Sequence, residues 1–156
     1  MKKIGISCRS LVHSQLSFYL VKNLNDYIRE CGDLNCTIFY EDQRPYMGAP
    51  LCPIMHVIEV NGFEFPVIAT SLGTANKLIN SYGPTRKIFY PYSLEWIGPQ
   101  PFQYEYVSKI LCSPELELIA RNKDHADLLK NNFNRDVIGT VEDFNIQELF
   151  QCLNLK

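Results

Sequence analysis

Short apolar runs alternate along this chain with stretches whose apolar positions recur every three or four residues. The runs at 3–8, 36–40, 67–70, 88–92, 116–120 and 137–141 have strand length and predict six buried strands. Between the first two, Leu16, Leu20, Leu24, Tyr27, Ile28 and Cys31 share one face of a helix over 14–31, which Gly32 ends just past the last turn. Ser71 is a plausible N-cap for a helix carrying Ala75, Leu78, Ile79 and Tyr82, stopped by Gly83 and Pro84. Further helices are predicted over 101–112, in "NKDHADLLKNNF" with Asn122 as cap and Asp124 at the positive end of the dipole, and after Asn145, where Glu148 completes a capping box. The segment 44–53, with its prolines at 45, 50 and 53, is a loop. In "MHVIEVNGFEFPVIAT", Asn61-Gly62 between two β-rich runs signals a hairpin, with Pro66 forcing a bulge or a brief edge position.

Strands alternating with single helices predict an α/β fold: one Rossmann-like, three-layer domain. Its sheet is mostly parallel, of about six strands with helices on both faces, plus an antiparallel hairpin strand near 55–65. The sequence has no internal repeat, and 156 residues suffice for one domain with a core that needs no staples. A hydrophobic share of 46% and a charged share of 21% place the chain among ordinary globular proteins. A net charge of -2 gives no indication of nucleic-acid binding and argues against an anionic membrane surface as partner. No apolar run approaches the length of a membrane span, and the start "MKKIGISC" is too short for a signal peptide. Six scattered cysteines without a CxxC pair read as reduced core thiols of a cytoplasmic protein. His13, His56 and His125 lie neither near each other in sequence nor beside a cysteine pair, so neither zinc nor another cofactor is expected.

A parallel sheet opens the C-terminal ends of its strands onto one edge, where ligands bind. That edge should gather residues 7–13, 41–44, 70–74, 90–96, 121–125 and 140–143, and with them Arg9, Arg44, Arg121, Asp42, Glu95, Glu142 and Asp143. "CRSLVHS" after the first strand is no G-x-G-x-x-G turn, which excludes a standard dinucleotide site, and no phosphate-binding P-loop occurs. In "SLGTAN", Ser71, Gly73 and Thr74 stand at a helix N-terminus whose amides can hold an anion; the plainer reading is that Gly73 eases a tight turn. His13 is a candidate general base or a polar residue of a first helical turn. The stretch "KIFYPYSLEW" ends a core strand in aromatics: Tyr90, Tyr92 and Trp96 form a ligand-stacking rim with Glu95 orienting a hydroxyl or acting as base, or they brace the loop 98–101 onto the sheet.

"PVIATSLGTANKLI", "RKIFYPYSLEWIG" and "LELIARNKDHADLLKNNFNRDVIGTVEDFN" together resemble the N-terminal Rossmann-like half of GT-B glycosyltransferases, most of all the versions carried by large bacterial viruses. The matching positions are Glu95-Trp96, Ala120-Arg121 and 139–144, within a stretch of about 65–150. The resemblance implies an acceptor-side half that binds a sugar or sugar-nucleotide ligand. Transfer would then require a donor half from a partner chain, a homodimer or further sequence. A binding or assembly module that keeps the fold without catalysis is the alternative. A compact nucleoside enzyme fits less well, since "SLGTAN" lacks the carboxylate it would need.

Overall fold

The computed structural model describes residues 2–42, 48–97 and 101–155; Arg44 and most of the loop 98–101 lie outside them. Seven strands form one parallel sheet in the order β3-β2-β1-β4-β5-β6-β7. They are β1 (Lys2–Cys8), β2 (Leu34–Tyr40), β3 (Ile54–His56), β4 (Val67–Ala69), β5 (Lys87–Phe89), β6 (Glu117–Ala120) and β7 (Gly139–Thr140). The helices are α1 (Gln15–Cys31), α2 (Leu72–Ile79), α3 (Pro101–Leu111), α4 (Lys123–Phe133) and α5 (Ile146–Leu153). This is the α/β, Rossmann-like domain that the pattern predicts, with chain direction across the sheet reversing between β1 and β4.

The strands read as continuous apolar runs because both faces are buried and successive side chains go to opposite layers. Ile4, Ile6, Ile38, Ile68, Ile88 and Ile119 point to a cluster shared with Leu20 and Leu24 of α1 and Leu149 and Phe150 of α5. Phe39, Val67, Ala69, Phe89, Leu118 and Ala120 point the other way, toward Leu78 of α2, Ile110 of α3 and Leu129 of α4. Gly5 is required on that second face. A Cβ there would come within 2.8 Å of the Phe39 ring, which crosses β1 from the neighbouring strand.

The expected hairpin near 55–65 does not form. Ile54–His56 pairs parallel with β2, and Val57–Gly62 curls into a 3-10 helix. Asn61 and Gly62 are not among the described residues with positive φ, so the turn that their pairing suggested is absent. Tertiary contact overrides local preference here. Asn61 Oδ1 accepts from Tyr82 N–H at 3.3 Å, and the Asn61 carbonyl packs so closely on Gly83 that no Cβ fits there. Pro66 does not mark a bulge; its carbonyl accepts from Gly5 N–H at 2.8 Å and leads β4 into the sheet.

Candidate functional site

The loops that leave β1, β4, β5 and β6 meet where the strand order reverses, and they enclose a hollow of about 390 Å³. Arg9, Ser10, Val12 and Ser14 come from the first loop, Thr70 and Ser71 from the second, Tyr92, Ser93 and Glu95 from the third, and Arg121 from the fourth; Gln15 and Leu16 of α1 complete the lining. Two helix N-termini reach it. Ser14 caps α1 by accepting from Ser17 N–H at 3.1 Å, and Ser71 caps α2 by accepting from Thr74 N–H at 3.2 Å. Other hollows are as large: one of about 420 Å³ between the 3-10 segment and α2, and one of about 570 Å³ lined by Lys2, Tyr27 and Phe150. Volume does not decide between them. Neither brings four strand ends together, which is where open α/β sheets bind ligands.

Glu95 sits on the wall between this hollow and a smaller one of about 250 Å³ that Gly73, Gln103 and Tyr106 also line. Its Oε2 accepts from Leu72 N–H at 3.2 Å, so the protein's own carboxylate occupies the positive end of α2. Partial burial nevertheless holds the Glu95 carboxyl above its ordinary value, outweighing the Leu72 amide, Arg9 and Ser93, which all favour the ionised form. Arg9 is largely exposed and pairs loosely with Asp42 at 3.6 Å.

Arg121 and Tyr92, which line the same hollow, form a second constellation with Asp143. The Arg121 guanidinium lies over the Tyr92 ring at 4.1 Å and donates to Asp143 Oδ1 at 2.9 Å, while the Tyr92 hydroxyl donates to the same oxygen at 3.1 Å. Burial first, then the Asp143 hydrogen bond, pushes the Tyr92 phenol up to about 12. Asp143 and Phe144 both adopt left-handed backbone, with φ of 43° and 60°, which is costly for such residues. The surroundings hold the turn in place: Asn23 donates to the Asp143 carbonyl at 2.7 Å, and Phe144 is fully buried against Tyr90.

Of the residues singled out from the sequence, Arg9, Ser71, Tyr92, Glu95 and Arg121 therefore share one hollow, and Gly73 lies in the adjoining one. Three do not line it. His13 is exposed on the first loop and is not among the residues lining the hollow. Thr74 is fully buried, its hydroxyl accepting from the N–H groups of Thr70 and Ser71 to close a capping box. Trp96 turns to the other layer, stacked on His125 at 5.9 Å and edge-on to Phe133. Tyr90 and Tyr92 are buried too, so the aromatic end of β5 is chiefly a brace. His125 is buried, its Nδ1 accepts from Arg121 N–H at 3.3 Å, and burial lowers its pKa. A neutral ring then carries its proton on Nε2, a buried atom with no hydrogen-bond partner among the described residues.

The sequence reading missed Ser10, Ser14, Gln15, Thr70 and Ser93 as lining residues and the pairing of Asp143 with Arg121 and Tyr92. Strand ends alone signalled the neighbourhood of each. Among the described residues no cluster of three His, Cys, Asp or Glu side chains is arranged to hold a metal ion, and no helix is long and apolar enough to cross a membrane. Fold and crevice together define a Rossmann-like α/β domain with a hollow of mixed apolar, hydroxyl and charged lining at its switch point. No known protein family, curated protein or solved structure matches the chain.

Proposed function

We propose that this protein binds a small hydroxylated molecule, of the sugar or nucleotide type, in the crevice between β1 and β4. One observation carries the reading: four strand ends converge on a hollow that combines Ser and Thr hydroxyls, two guanidinium groups and a carboxylate with apolar Val12 and Leu16. Hydroxyls and charged forks of this kind suit a polyhydroxylated ring, and the apolar side chains suit its less polar face. Glu95, with its raised pKa, orients a ligand hydroxyl or takes its proton. Arg9 and the Ser71 hydroxyl meet the ligand's acceptors, and Arg121 does so from its fixed place over Tyr92. In line with the resemblance to GT-B glycosyltransferases, the chain is read as an acceptor-side half that needs a second half, from a partner chain or a second copy, for transfer.

A second reading, a binding or assembly module without catalysis, draws support from one feature. Glu95 and Arg121 are both already engaged within the protein, on Leu72 N–H and Asp143. Thermal-shift measurements with UDP-sugars, free nucleotides and simple glycosides test the site. At least one class should raise the melting temperature of the wild-type chain, and a folded Glu95→Gln variant should lose most of that shift. No shift with any class, or an undiminished shift in the variant, would overturn the reading. Ligand shifts without any sugar transfer in the presence of candidate partner chains would select the binding module.

A further inference from the structure

Cys36 on β2 and Cys52 just ahead of β3 are brought together by the register of two parallel strands. Ile38 is paired with Ile54, and Ile38 N–H donates to the Pro53 carbonyl at 2.9 Å. Cys36 lies two residues before Ile38 on β2 and Cys52 two residues before Ile54, in the bend that leads into β3, and both side chains enter the same apolar cluster. Both side chains join the α1-side apolar cluster, at 1% and 9% exposure, and each thiol perturbs the other's titration. Both are free. Neighbouring strands run about 4.8 Å apart, inside the Cα separation of roughly 4.4–6.8 Å that a disulfide spans.

The two sulfurs differ in character. The neighbouring Cys36 thiol lowers Cys52, whereas the Cys52 thiol and complete burial raise Cys36. Cys52 is also the more accessible of the two. It is thus the sulfur of the two that gives up its proton more readily and that an oxidant reaches first.

We propose that Cys36 and Cys52 form a redox-active pair that accepts a peroxide oxidant and closes as a disulfide between β2 and β3. The Cys52 thiolate attacks one peroxide oxygen and the O–O bond breaks. The departing hydroxide takes up a proton and leaves as water, and Cys52 becomes a sulfenic acid. The Cys36 sulfur then attacks the Cys52 sulfur. The S–O bond breaks, and its hydroxyl leaves with the Cys36 proton as a second water. The sulfur pair loses two electrons, which the peroxide gains. The new bond encloses the connector that begins at the crevice, where Glu41 and Asp42 N–H groups donate to the Arg9 carbonyl at 3.1 and 2.9 Å. That connector ends where Asn25 Oδ1 accepts from Leu51 N–H at 2.7 Å. Oxidation therefore ties down the short edge strand β3.

The test treats the full chain with increasing hydrogen peroxide, alkylates the remaining thiols under denaturing conditions and maps the peptides by mass. A linked peptide joining Cys36 to Cys52 is expected. The melting temperature should rise by roughly 5–10 °C, and dithiothreitol should reverse both changes. In Cys36→Ser the rise should vanish while dimedone traps Cys52 as its sulfenic acid; in Cys52→Ser both the rise and the trapped sulfenic acid should be absent. Mapping of the wild-type chain decides the matter even if a variant does not fold. Recovery of Cys36 and Cys52 as separate alkylated residues, at oxidant levels that convert the exposed Cys31 and Cys112, would overturn the proposal. A linked peptide accompanied by a falling melting temperature would also overturn it.

Discussion

Glu95 shows how one side chain can serve the fold and a site together: it caps the start of α2 through Leu72 N–H and forms a wall of the crevice. Because its folded pKa is raised, its contribution to stability is fully present below the unfolded carboxylate value and is lost as pH rises through the folded one. Glu95→Gln removes that titration. The melting-temperature difference, wild type minus variant, should therefore fall as pH rises from the ordinary carboxylate range through the raised folded value, and a flat difference would refute the assignment. Tyr92 makes a parallel case at the alkaline end. Its phenol, pushed up to about 12, stays protonated when the unfolded chain has ionised, so its contribution is lost as pH rises through that value. Tyr92→Phe should cost about 1–2 kcal/mol at neutral pH, since the Asp143 carboxylate loses a hydrogen bond. It should also soften the alkaline loss of stability, as followed by urea unfolding in paired buffers.

At the scale of elements, the helix ends are local devices and the segment before β4 is not. Ser71, Asn122 and Asn145 each accept from amides of the helix they begin, and Gly32 ends α1 at a φ of 64°. Ser71→Ala should cost about 1 kcal/mol by removing the cap of α2. These ends were legible in the sequence because each depends on residues within one turn. Asn61-Gly62 was misread because its conformation is set by Tyr82 and Gly83, which a turn rule cannot see. Gly83→Ala should accordingly cost about 1–3 kcal/mol in urea unfolding, by driving a methyl group into the Asn61 carbonyl. Trp96 escaped for a similar reason. Strand ends told which edge it would occupy, but its partners His125 and Phe133 arrive on α4, and they turn it away from the crevice. The left-handed pair Asp143 and Phe144 was not legible, since aspartate only tolerates that backbone and phenylalanine disfavours it.

Across the whole molecule, one sheet separates two apolar clusters that share every central strand. Ile68 and Ile88 serve one layer, and Val67, Ala69 and Phe89 serve the other, so neither layer can loosen without exposing the reverse of the same strands. Arg86 adds a polar clamp across the elements. It makes a two-pronged contact with Glu117 of β6 at 2.8 and 2.7 Å and donates to the Leu153 carbonyl at the end of α5 at 2.6 Å. Unfolding should then be a single event for the whole chain. Trp96, the only tryptophan, reports on the α4 layer, while the helical circular-dichroism signal sums both layers. The two signals should trace one urea transition with the same midpoint and slope. If the Trp96 fluorescence changed at lower urea than the helical signal, the layers would be separable, and the α4 side would be a unit that opens by itself. The shared strands argue against that outcome, because opening the α4 layer alone would leave Phe89 and Leu118 facing water while Ile88 and Ile119 stayed packed behind them.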